Sequence, residues 1–210
     1  MIIEKNTFED GSSFALWNIT EEVDELLEKL DNDPFVIERI SQFTSIKRKC
    51  EFLASRCTLN EMTGKKLTIS YKPSGQPVVE GENMNISISH TGEWVTVLTH
   101  PTKRVGIDIE KISDRLLRVK NKFLTPQELA FVDLQCEKPQ LAIMWATKEA
   151  LYKLLDIEGL DPISDIHIEP FMTYLDGHLT AYETKTSLNR HFDVEYLVRP
   201  QYVMVRVVEK

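Results

Sequence analysis

Val105-Gly106-Ile107-Asp108-Ile109-Glu110 and, further along, Trp145-Ala146-Thr147-Lys148-Glu149-Ala150-Leu151-Tyr152-Lys153 hold the residue types best suited to chemistry in this chain. The first segment alternates apolar and acidic positions. As a strand it buries Ile107 and Ile109 and projects Asp108 and Glu110 from the opposite face, toward solvent or ligand. The second reads as a helix, and its spacing stacks Glu149 and Lys153 one turn apart. Three carboxylates meeting at one place make a hard-oxygen set suited to Mg²⁺, with a lysine beside it for phosphate. That is the chemistry of a metal-bound polyphosphate. Taken singly, each half has an ordinary reading too: the outer face of an edge strand, and a helix-surface ion pair. Gly106 beside the acids permits close approach of a ligand or of a neighbouring backbone.

Further candidates lie upstream. Ser87 and Ser89 share one face of an alternating stretch, and His90 points the other way unless the strand ends there. No Gly-x-Ser-x-Gly turn accompanies them, which argues against a hydrolase triad. Basic residues gather in two runs, Lys47, Arg48, Lys49 and Arg56, then Lys111, Arg115, Arg118, Lys120 and Lys122 with only Asp114 opposing. The formal net charge of −8 argues against general nucleic-acid binding, whereas local basic patches suit a phosphorylated small molecule or an acidic protein partner. Apolar content of 42% and 210 residues allow one sizeable core or two small, intimately packed halves. No stretch approaches a membrane span and the first residues lack the pattern of a signal peptide, so a cytoplasmic protein is expected. Cys50, Cys57 and Cys136 form no CxxC pair and read as reduced, mostly buried thiols.

The elements that must position these residues follow from periodicity and punctuation. A helix is predicted over 20–31 with Thr20 as a possible N-cap, interrupted at Pro34. A longer helix follows Ser45 and closes at Gly64, with Ile46, Cys50, Leu53 and Cys57 on its buried stripe. Lys47, Arg48 and Arg56 then lie off that stripe, available to solvent or ligand. Leu67 to Tyr71 reads as a strand, Pro73 to Gly81 as a loop, and Ile86 to Ser89 and Trp94 to Thr99 as strands. The junction between two halves falls at Pro101 to Arg104. Thr125-Pro126-Gln127-Glu128 is a capping box with proline at the first helical position. The helix carrying Glu149 is expected from about Gln140 to Leu155, ending before Gly159. Asp165 to Glu169, a hairpin turning at Asp176-Gly177, and strands near 192–198 and 202–208 complete the chain.

The ordered set resembles the 4′-phosphopantetheinyl transferase superfamily, whose signature is a GxD strand, a spacer, then W/F-x-x-K-E-x-x-x-K. Both halves of that signature are intact here, and Glu110 matches the second acid of the longer, surfactin-synthetase-activating members. The order of a basic helix, Ser74-Gly75-Gln76-Pro77 and Ser89-His90-Thr91 ahead of the acidic strand matches as well. The resemblance implies an α+β fold of two similar halves, 1–102 and 103–210, each a small antiparallel sheet packed with helices. It implies coenzyme A bound in the cleft between them and Mg²⁺ held by Asp108, Glu110 and Glu149. Ser89, His90, Gly75, Gln76, Lys47, Arg48 and Lys153 would contact the coenzyme, and Glu149, Lys153 and Asp108 would carry the chemistry. Family members often have lysine where Gln76 stands, so a cation is missing from that turn unless Lys72 substitutes. The implied activity is transfer of the phosphopantetheine arm to a serine of an acidic acyl or peptidyl carrier protein of fatty-acid, polyketide or nonribosomal-peptide synthesis, by a monomer. Arg115 and Arg118 are the expected docking contacts, and Trp145 is expected to pack and position its helix. The rival reading is a non-catalytic carrier- or nucleotide-binding homologue; the presence of all three acids and Lys153 argues against it.

Overall fold

All 210 residues are described in the computed structural model, and they divide into two units, Met1–Thr102 and Lys103–Lys210. Both combine helices with an antiparallel sheet. No helix is long and apolar enough to cross a membrane.

The N-terminal unit begins with β1 (Ile2–Thr7) and β2 (Ser13–Asn18), which local patterning did not reveal. α1 (Val23–Lys29) starts from Glu22, not Thr20, because Glu22 and Glu25 close a reciprocal capping box. Pro34 does not merely interrupt: it opens α2 (Pro34–Ser41), capped by Asp33. α3 (Ile46–Thr63) is bounded as its end residues suggest, by the Ser45 hydroxyl and by Gly64 at φ 68°. β3 (Ile69–Tyr71) pairs with β4 (Pro77–Val79), so the stretch read as a loop contains a strand. β5 (Asn85–Thr91) and β6 (Trp94–His100) complete a sheet ordered β1-β2-β6-β5. Leu53, Ala54 and Cys57 of α3 pack with Trp17, Leu26 and Val95.

Two expectations for α3 are corrected. Ile46 is 66% exposed, since it occupies the first helical position ahead of the buried turns. Arg56 is buried, because its carbonyl partners lie on α3 itself and on β3. Cys50 and Cys57 are buried free thiols and Cys136 is half-buried. Burial pushes the Cys57 thiol up to about 12.

The C-terminal unit contains β7 (Val105–Lys111), α4 (Asp114–Val119), α5 (Pro126–Leu129), α6 (Glu137–Leu155), β8 (Ile166–Ile168), β9 (Asp176–Glu183), β10 (His191–Val198) and β11 (Tyr202–Val208). Its sheet runs β7-β11-β10-β9-β8. The Thr125–Glu128 capping box forms as expected. α6 ends on Asp156 in the left-handed region, three residues before Gly159. Asp176 and Gly177 are not a hairpin turn but the first residues of β9, paired with Leu197 and Tyr196. A Cβ at Gly177 would lie 2.4 Å from the Tyr196 hydroxyl, so the glycine is there for clearance. Leu141, Met144, Leu151 and Leu154 of α6 form the core with Val194, Val203, Val205 and Val207 of the sheet. α6 therefore lies across the sheet, and its two chemically distinctive residues are carried to whichever strand face it covers.

Candidate functional site

Glycine decides how the C-terminal group is built. A Cβ on Gly106 would come within 2.0 Å of the Ala150 carbonyl oxygen and 3.1 Å of Leu154 Cβ. The close approach left open by the sequence is thus a backbone approach: α6 lies directly against β7. Gly106, Asp108 and Glu110 are cross-strand neighbours of Val207, Val205 and Val203, the valines packed in the core with α6. All six share one face of the sheet. The acids consequently project toward the helix bearing Glu149 and Lys153, and Ile107 and Ile109 are buried on the other face.

This corrects one expectation. Asp108 is only 5% exposed and does not stand toward solvent. The Lys153 ammonium donates to its Oδ1 at 2.7 Å and to the Ile107 carbonyl at 3.0 Å. Glu110 and Glu149 are half-buried close by. Burial pushes the Glu110 carboxyl up to about 7; Asp108 and Glu149 add repulsion, and Arg115 offsets part of it. Glu149 is raised as well, by burial and then by Asp108, with Lys153 opposing. Three acidic side chains thus stand against two cations, Lys153 and Arg115, an excess of carboxyl groups.

That excess, on hard carboxylate oxygens, suits a divalent cation. The geometry is less complete than the residue types suggest. No three His, Cys, Asp or Glu side chains are gathered as a metal-ligand group anywhere in the chain. The structure brings Asp108 to Lys153 and places Glu110 and Glu149 within electrostatic reach of Asp108, without forming a three-carboxylate cage.

Around this group the fold is tied down by side chains whose burial the sequence concealed. Lys148 is 2% exposed. Its ammonium meets Glu128 at 3.0 Å and the Pro162 and Ile166 carbonyls at 3.0 and 2.8 Å. Glu128 in turn accepts from Ile168 N at 3.1 Å and Thr125 N at 2.8 Å. Trp145 packs edge-on against Phe123 at 4.9 Å, consistent with a positioning role. Within the basic run Lys120 pairs with Glu137, while the opposing acid, Asp114, pairs with Lys138 outside the run. Arg115 and Arg118 stay exposed, the former 5.7 Å above the Trp145 ring.

In the N-terminal unit the expected residues form two groups. Arg48 Nη1 lies 2.6 Å from His90 Nε2. A guanidinium only donates, so His90 accepts through Nε2 and carries its proton on Nδ1, 3.4 Å from Glu51. Glu51 also sits 3.6 Å from both Lys47 and Arg48. This buried carboxylate was missed, although its spacing of three and four residues from the two cations is a readable signal. Ser89 is buried on β5 and His90 exposed, the alternation expected. The second group is the β3–β4 turn, where Gly75 adopts φ 88°. Lys72 donates to the Gln76 side-chain carbonyl, so a lysine does accompany the turn.

An acidic strand laid against a glutamate- and lysine-bearing helix in an α+β chain is the class of site these residues define. Residues 104–204 match the family model of the 4′-phosphopantetheinyl transferase superfamily. A 4′-phosphopantetheinyl transferase of Bacillus subtilis is 32% identical over 114 residues, 50% of this chain and 47% of that protein. The 4′-phosphopantetheinyl transferase gsp of Aneurinibacillus migulanus is 29% identical over 104 residues, 47% of this chain and 42% of that protein. The human L-aminoadipate-semialdehyde dehydrogenase-phosphopantetheinyl transferase is 26% identical over 144 residues, 57% of this chain and 47% of that protein. The matched stretch spans about half the length of these relatives.

Proposed function

We propose that this protein transfers the 4′-phosphopantetheine arm of coenzyme A to a serine hydroxyl of an acidic apo acyl or peptidyl carrier protein, with 3′,5′-ADP leaving, in the manner of the longer members of the superfamily. The observation that carries the reading is the apposition of Asp108 and Glu110 on β7 to Glu149 and Lys153 on α6, within the residues that match the family. The proposed pseudo-duplicated organisation, 1–102 for nucleotide contacts and 103–210 for the acids, belongs to the same reading. Its support is that each unit lays a long helix on an antiparallel sheet.

In this proposal Asp108, Glu110 and Glu149 hold Mg²⁺. Bound there, the cation would offset the pyrophosphate charge that otherwise repels a nucleophile. The raised carboxyls of Glu110 and Glu149 support it, since burial and then the neighbouring Asp108 disfavour a charge that a bound cation would offset. Glu149 takes the proton of the serine hydroxyl as its oxygen bonds to the β-phosphorus, and the bond to the departing 3′,5′-ADP oxygen breaks. Lys153 stabilises charge on the phosphate oxygens; its ammonium already lies at the acids. Lys47, Arg48, Ser89 and His90 hold phosphates, and Gly75 and Gln76 lie at the nucleotide. The Arg48–His90 contact and the lysine beside Gln76 favour these assignments. Arg115 and Arg118 dock the acidic carrier.

Intact-mass measurement of apo-carriers, incubated with coenzyme A, Mg²⁺ and the protein, tests the proposal. A gain of one phosphopantetheine arm, abolished by chelator, is expected. Coenzyme A binding with no mass gain on any carrier would mean a non-catalytic homologue instead.

A further inference from the structure

The two cations nearest the acids of the C-terminal unit are held in different ways. Lys153 is ion-paired with Asp108 at 2.7 Å. Arg115 is not paired at all. It lies in the first turn of α4, which is fixed beside α6 by the Asp114–Lys138 ion pair at 2.6 Å and by buried Leu116. Its guanidinium stands 5.7 Å over the ring of Trp145, one helical turn before Glu149 on α6. That side of α6 therefore runs Arg115 over Trp145, then Glu149, then Lys153, with a cation at each end of the acids.

The Arg115 guanidinium forms no ion pair or hydrogen bond; the ring is its one directed contact. Glu110 has no ion-pair partner either, although Arg115 opposes the burial and the Asp108 repulsion that raise its carboxyl. The two charges feel each other without touching. Packing on Trp145 would account for the stacked plane of Arg115. It leaves the five N–H donors of an exposed guanidinium uncommitted. A cation in the first turn of a helix also gains nothing from the helix, whose leading N–H groups favour acids.

We propose that Arg115 is an exchangeable counter-cation for Glu110: a carboxylate of the docked carrier takes up the guanidinium, and Glu110 then binds the divalent cation more tightly. The inference rests on the transfer reading above and adds to it a coupling between carrier and metal. Arg115 and a divalent cation repel each other across Glu110. A carboxylate on Arg115 offsets that repulsion and brings negative charge of its own. By linkage, the cation must strengthen carrier docking by the same factor.

Mg²⁺ titrated into the full chain by calorimetry provides the test, at about pH 8.5 so that protons do not compete for Glu110, whose value is about 7. Arg115→Gln is expected to bind Mg²⁺ about fivefold tighter, the lower end of measured couplings between sites. Lys122→Gln, the same loss of charge at an exposed position further along the run, should change affinity much less. An apo-carrier that gains the arm in the assay above, its acceptor serine replaced by alanine, should tighten Mg²⁺ binding in the wild type and not in Arg115→Gln. Equal or weaker Mg²⁺ binding in Arg115→Gln would overturn the proposal. So would equal tightening in Lys122→Gln, or a carrier effect that survives in Arg115→Gln. The Mg²⁺ titrations need no carrier, which separates the two readings: a mass gain on a carrier, with Mg²⁺ affinity unchanged in Arg115→Gln, would keep the transfer reading and overturn this inference alone.

Discussion

Gly106→Ala is the sharpest perturbation of the acidic group that leaves every acid in place. The added Cβ would meet the Ala150 carbonyl oxygen at 2.0 Å, whereas ordinary contact begins at 3.4 Å, so α6 or β7 must withdraw by more than an ångström. Overpacking of this kind costs about 1–3 kcal/mol. The stiffer unfolded chain returns about 0.4–1 kcal/mol of that. A net loss near 1–2 kcal/mol is expected in urea denaturation. The shift acts directly on the 2.7 Å contact between Lys153 and Asp108, two residues along the strand. Displacement of reacting groups by an ångström can lower turnover about 100-fold, so transfer to a carrier should fall far more than stability. Gly64→Ala is the control: its φ of 68° makes alanine strained, but nothing lies within 4 Å of the new Cβ. It should cost stability without changing transfer. The clashing atom in Gly106→Ala is backbone, so trimming Leu154 to alanine should not rescue it. Wild-type denaturation and turnover in Gly106→Ala, or rescue by Leu154→Ala, would refute the reasoning.

Asp108→Ala and Glu149→Ala should each abolish transfer by intact mass. Asp108→Ala should also destabilise by about 1–2 kcal/mol, because it strips Lys153 of its carboxylate in a buried setting. Lys153→Ala should lower turnover less than either. Reversing Arg115 and Arg118 to glutamate should raise KM for the carrier severalfold at low salt while leaving coenzyme A affinity unchanged; unaltered carrier kinetics would move docking to another face. The Arg104 guanidinium holds the Glu209 carboxyl below its ordinary range. A depressed folded-state pKa contributes stability that is present above the unfolded value and lost as pH falls through the folded one. Glu209→Gln should therefore flatten the acid limb of a stability-versus-pH profile and lower stability at neutral pH. A steeper acid limb in that variant would contradict the sign.

Much of the chain was legible because it obeys nearest-neighbour rules. Ser45 and Gly64 bound α3, Thr125 and Glu128 close their capping box, and the alternation of β7 separates isoleucines from acids. Each of these is decided within a few residues by hydrogen-bond geometry or by side-chain direction. Even so, alternation specified that Asp108 and Glu110 share a face without specifying what that face meets. α6 covers it because Gly106 lets the Ala150 carbonyl through, and Ala150 lies far along the chain.

Burial of charge was likewise beyond local reading. Lys148 and Arg56 look like helix-surface cations, and tertiary partners make them interior: Glu128 with the Pro162 and Ile166 carbonyls for one, the Ile69 carbonyl and the Phe52 ring for the other. Asp176-Gly177 has the composition of a turn but forms strand, because pairing with β10 and the Tyr196 hydroxyl above Gly177 outweigh a two-residue preference. The sequence by itself determined which side chains are chemically capable, and in what order along the strand and the helix. Which of them are withdrawn from water, and which cations meet a carboxylate or only carbonyl oxygens, only the tertiary structure decided. Desolvation and ion pairing depend on atoms brought together from distant parts of the chain.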